Sequence, residues 1–96
     1  MHIGKVVGNV VATRKDERLV GHKLLIVQPL SVCRGSIRPA GDTLVAIDAV
    51  GAGIGEMVVY VCGTPALRVA GSSGAPVDAA IVGIVDCVEA PAPPEE

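Results

Sequence analysis

The chain reads as short runs of β-branched residues broken every few positions by glycine or proline. Ile3-Gly-Lys-Val-Val-Gly-Asn-Val-Val-Ala-Thr13 is the first such run. Its glycines disfavour a helix, and its valines suit a pleated surface. Gly4 and Gly8 predict bends or a close backbone approach, as at a barrel corner. Further runs follow at residues 23–30, 43–50 and 57–62, and the last spans about Val77 to Glu89. Pro29 cannot donate to a central ladder, which places it at an edge or a strand end. Residues 14–22, with Arg14, Lys15, Asp16, Glu17 and Arg18, read as a solvated loop. Residues 31–42 read as a loop or a short irregular hairpin, and residues 69–76 as a small-residue loop. One short helix is expected at 63–68, with Thr64 as N-cap and Pro65 in the first helical position. The fold class is therefore mainly all-β, a small five-stranded OB-like barrel with one short helix. Residues 1–89 form a single domain, and 90–96 a flexible Pro-rich C-terminal tail.

Composition narrows the function classes. Half of the 96 residues are hydrophobic, yet Tyr60 is the only aromatic among Phe, Trp and Tyr. A core without aromatics is small, and such a chain is a candidate for extra burial between subunits. Eight basic residues against ten acidic ones give a net charge of −2. This lacks the basic footprint of a nucleic-acid binder, and one tyrosine provides no stacking platform. No apolar run approaches the ~20 residues of a membrane span. Cys33, Cys62 and Cys87 form no CxxC pair and read as reduced thiols. Cys62 and Cys87 sit in Val-rich runs and are expected in the core, Cys33 at the surface. His2 and His22 have no cysteine at metal-ligand spacing, so no metal site is expected.

The segment Gly51-Ala52-Gly53-Ile54-Gly55-Glu56 needs separate weighing. It follows a strand run, like a dinucleotide fingerprint, but the third glycine position is Glu56, and a strand follows instead of a helix. Nucleotide binding is thereby disfavoured. Two readings stay open. One is a β-turn in which glycine supplies positive φ. The other is a backbone-lined surface where several chains approach closely, because three glycines in five residues exceed what one turn needs. Glu56 would then accept hydrogen bonds from loop N–H groups of its own or a neighbouring chain. Asp48, Asp78 and Asp86 each end or interrupt an apolar run, but no nucleophile pattern accompanies them. Pro76-Val77-Asp78 reads as a turn whose carboxylate satisfies backbone donors. No catalytic, cofactor-binding or metal-binding residue is expected.

Four stretches in order resemble the EutN/CcmL family of bacterial microcompartment vertex proteins. They are Val6 to Thr13, Gly21 to Val27, Val45 to Val58 and Pro76 to Asp86, within a match that covers roughly residues 3 to 89. The resemblance implies a cyclic homopentamer that caps the vertices of a polyhedral shell in the bacterial cytoplasm. It implies hexameric shell proteins as partners, with no enzyme activity, nucleic acid or membrane. Gly51, Ala52, Gly53, Ile54 and Gly55 would border the five-fold axis, with Asp48, Glu56 and Asp78 as bracing or interface residues. One departure is Gly63-Thr64-Pro65-Ala66-Leu67-Arg68, where Arg68 stands one residue later than the family's arginine. The rival reading is an OB-fold ligand- or nucleic-acid-binding module, supported by fold analogy alone. A small enzyme using Asp48 or Cys33 lacks an identifiable partner residue.

Overall fold

The computed structural model describes residues 1–11, 22–33, 35–69 and 78–88, with side chains omitted for 67–69. The loop expected at 14–22 (except His22), most of that at 69–76, the Arg68 side chain and the tail at 90–96 lie outside the described residues. The described residues form six strands and one helix in order: β1 (His2–Val10), β2 (Lys23–Cys33), β3 (Ser36–Pro39), β4 (Leu44–Asp48), β5 (Met57–Cys62), α1 (Thr64–Val69) and β6 (Ala79–Val85). The sheet order is β1-β5-β6-β4-β2-β3, and β1 also pairs with β2. That extra pairing closes five strands into a ring and leaves β3 as an appendage on β2. Within the ring only β4 and β6 run parallel, through Ile47 opposite Ala80 and Asp48 opposite Ile81. This is the connectivity of an OB-like barrel.

Alternation along the strands fills the barrel with aliphatic side chains. Val6, Leu25, Val27, Ala46, Val58, Tyr60, Ala79 and Ile81 form one buried cluster, joined by Ala52 from the loop after β4. Tyr60, the single large ring, stacks with His2 at 5.2 Å between centroids. Burial, and secondarily the neighbouring Cys62 thiolate, raise its phenol pKa above the ordinary value. Gly4 is the close approach expected at a corner. A Cβ there would collide with Val27 and lie 3.0 Å from both the Gln28 carbonyl and the Tyr60 ring. Near Gly8 the register of β1 against β2 shifts, leaving Val7 as an extra, exposed residue. Such a bulge bends the strand, as a closed small barrel requires.

Three expectations are corrected. Pro29 lies inside β2, at the residue where the strand exchanges β4 for β3 as partner. Its carbonyl accepts from Ala40 N–H at 2.9 Å, and the N–H it lacks is not needed at the changeover. Cys62 and Cys87 are exposed, not core residues. Cys62 ends β5 and Cys87 lies two residues past β6, so strand alternation no longer turns them inward. Thr64 is the first residue of α1 rather than its cap. Gly63, at φ 71°, stands before it and accepts from Ala66 N–H at 3.0 Å.

Gly4→Ala is expected to cost about 1–3 kcal/mol by overpacking against Val27 and Tyr60. Urea denaturation at fixed protomer concentration measures it. A loss within about 0.5 kcal/mol, the range of neutral surface changes, would show that β1 and β2 separate freely there.

Candidate assembly loop

The loop after β4 is built by the residue that ends the strand. The Asp48 Oδ1 accepts from Val50 N–H at 3.0 Å and from Gly51 N–H at 3.1 Å. This Asx geometry turns the chain off the strand. Gly51 follows at φ 81°, a conformation in which a Cβ is strained. The turn drives Ala52 into the core, where it is 1% exposed. Its carbonyl accepts from Lys23 Nζ at 3.2 Å, and the same nitrogen lies 3.9 Å from Asp48 Oδ2. Lys23 sits directly opposite Asp48 on β2.

The second half of the loop is closed by Glu56. Its Oε1 accepts from Gly53 N–H at 2.7 Å, and its own N–H donates to Gly53 O at 3.2 Å. Gly53 to Glu56 is thus a β-turn with Gly55, at φ 93°, in the third position, where type II turns need positive φ. Gly55 N–H donates to Val6 O at 2.8 Å and Val6 N–H to Glu56 O at 2.9 Å, which ties the turn to β1. The tip then presents Ile54, 64% exposed, beside the half-exposed Gly53 and the exposed Val50.

The glycines differ in what they require. Gly51 and Gly55 need glycine for their backbone conformation. Gly53 does not have positive φ, and a Cβ there would meet only Glu56 Oε1, at 3.4 Å. Nothing severe within the protomer excludes a side chain at Gly53. Asp78 lies elsewhere, just before β6 and away from the loop. Among the described residues its contact is made by the main-chain carbonyl, which accepts from Gly63 N–H at 2.8 Å. Lys23 was not singled out in the sequence. Its pairing with Asp48 depends on the β2–β4 register, which no local motif encodes.

Among the described residues, no group of three or more His, Cys, Asp or Glu is placed to hold a metal. The loop offers braced backbone and exposed aliphatic surface, the materials of a protein contact.

A sequence model of the family described as ethanolamine utilisation protein EutN/carboxysome matches residues 1–86. The chain belongs to the EutN/CcmL family. It is 48% identical over 89 residues to the bacterial microcompartment shell vertex protein GrpN of Rhodospirillum rubrum, covering 93% of this chain and 97% of that protein. It is 42% identical over 88 residues to the carboxysome shell vertex protein CcmL of Gloeobacter violaceus, covering 92% and 85%. The solved structure titled GrpN pentameric microcompartment shell protein superposes with a TM-score of 0.79, covering 94% of this chain and 99% of that one. Membership in the EutN/CcmL family makes this chain a structural shell protein and not an enzyme, and sets aside the binding-module alternative.

The Asp48 carboxylate is expected to hold the loop more than the ion pair does. Its side chain is 1% exposed, whereas that of Lys23 is 60% exposed and largely screened. Asp48→Ala should cost about 1–3 kcal/mol through two lost charge-assisted bonds. Lys23→Met should cost less than about 1 kcal/mol. Urea denaturation of both variants decides it, and the reverse ranking would make Lys23 the principal support.

Proposed function

We propose that this chain assembles into a cyclic homopentamer that caps the vertices of a polyhedral bacterial microcompartment in the bacterial cytoplasm. Gly51, Ala52, Gly53, Ile54 and Gly55 border the five-fold axis, with Asp48 and Glu56 bracing them from behind. Ala52 contributes only backbone there, since its methyl is buried in its own barrel. Asp78 supports the far end of the barrel through its main chain. The observation that carries this reading is Gly53. Of the loop's three glycines it is the one the isolated fold does not require, so the space it keeps open is for another copy. Exposed Ile54 and Val50 beside it supply apolar surface to bury against neighbours.

The mechanism is geometric. Hexagonal tiles cover flat facets, and a closed shell requires pentagonal units at its corners. A head-to-tail contact that closes after five copies supplies that unit. The partners at its rim are hexameric shell proteins.

Gly53→Arg should fold with little loss of protomer stability, because a Cβ there meets only Glu56 Oε1, in ordinary contact at 3.4 Å, yet fail to assemble or obstruct the axis. Co-expression with hexamer-forming shell proteins should give closed polyhedra with the native chain and open or tubular assemblies with the variant. Closed shells from both, with an open axis in the variant, would remove Gly53 from the axis.

A further inference from the structure

Away from the loop, the hairpin of β2 and β3 stands outside the ring of strands and has two unlike faces. Its register sets Ser31 opposite Arg38 and Cys33 opposite Ser36, alternating with Leu30 opposite Pro39 and Val32 opposite Ile37. Side chains alternate along a strand, so Ser31, Cys33, Ser36 and Arg38 share one face. Opposed side chains there stand about 5 Å apart at Cβ, and the two pairs about 7 Å apart along the strands. All four residues are exposed, and with Pro39 they line a cavity of about 540 Å³.

The chemistry of that face is one-sided. No Asp or Glu lines the cavity, and among the described residues Arg38 forms no ion pair. Two hydroxyls and a thiol stand around the guanidinium, each able to donate a hydrogen bond. None of the four residues is β-branched or aromatic, the types that favour strands, so strand propensity does not account for them. We propose that this face binds a phosphate group, free or as a simple monoester. The Arg38 guanidinium holds two of its oxygens, and the Ser31 and Ser36 hydroxyls donate to the others.

Phosphate suits this donor set better than a carboxylate does. The arginine fork matches two phosphate oxygens, and hydroxyls on both strands serve a tetrahedral group rather than a flat one. A phosphate monoester also carries about −1.5 to −2 at pH 7, which draws it to an arginine with no acidic neighbour in the cavity. Occupancy therefore turns the hairpin face from cationic to anionic. It also covers the Cys33 thiol, which lies on the same face. The site belongs to one hairpin of one protomer, so it does not rest on the pentamer.

The chain contains its own probe and its own references, because Cys33, Cys62 and Cys87 are all exposed and only Cys33 lies on the hairpin. Alkylation by iodoacetamide, an uncharged reagent, is followed at each cysteine by peptide mass spectrometry on the intact protein, with its native mass measured. Inorganic phosphate and methyl phosphate are compared with sodium chloride at equal ionic strength and pH. For a Kd of about 2 mM, about 20 mM of either phosphate should slow Cys33 about tenfold. Cys62 and Cys87 should keep their rates. Arg38→Gln should abolish the protection at unchanged native mass, and a Ser31→Ala/Ser36→Ala variant should weaken it severalfold. Protection by inorganic phosphate alone limits the site to the free ion, and protection by both extends it to monoesters. Equal rates with and without phosphate overturn the proposal. So does equal slowing by chloride, equal slowing at all three cysteines, or protection that survives Arg38→Gln. A Cys33 that is unreactive before any phosphate is added overturns it too, since the face is then covered in the intact protein.

Discussion

One buried carboxylate sets the shape of the loop proposed to face the five-fold axis. Asp48 ends β4 and accepts from the two backbone N–H groups that follow, and so decides where the chain leaves the barrel. Ala52 can reach the core only because that turn is made. With Ala52 seated, the Gly53–Glu56 turn falls alongside β1 and bonds to Val6. The outer surface of the loop is therefore a rigid extension of the barrel. Losing both bonds to this charged acceptor costs about 1–3 kcal/mol, against about 0–1 kcal/mol for a solvated ion pair. On those magnitudes Lys23 trims the arrangement and Asp48 determines it.

The scarcity of aromatics has two consequences that now connect. Within the protomer, the core is a thin cluster of Val, Leu, Ile and Ala around one tyrosine. Outside it, Val7, Val45, Val50, Ile54 and Ile84 remain exposed in a single copy. A shell subunit can tolerate this imbalance, because surface left apolar in one copy is available for burial between copies.

Much of this architecture was legible in the sequence, for reasons visible at particular residues. The β-branched runs marked the barrel strands because a five-stranded barrel has few residues that are not strand or turn. Met57 to Cys62 shows this well, bounded by Glu56 and Gly63. Gly4 was readable as a corner because only a missing side chain fits against Val27. The length of β2 was not, because Pro29 breaks a ladder only where its N–H would have been used, and the strand changes partners there. Cys62 and Cys87 misled because hydrophobic context predicts burial only while the strand lasts. The Asp48–Lys23 contact joins residues 25 apart in sequence, so only the register of β2 against β4 could reveal it.

In the proposed pentamer, the braced loop and the apolar surface of one barrel are completed by four further copies. Native mass spectrometry of the intact protein tests it most directly. A dominant species at five times the 9.7 kDa chain mass is the predicted result. A stable monomer at micromolar protomer concentration would rule out the pentamer.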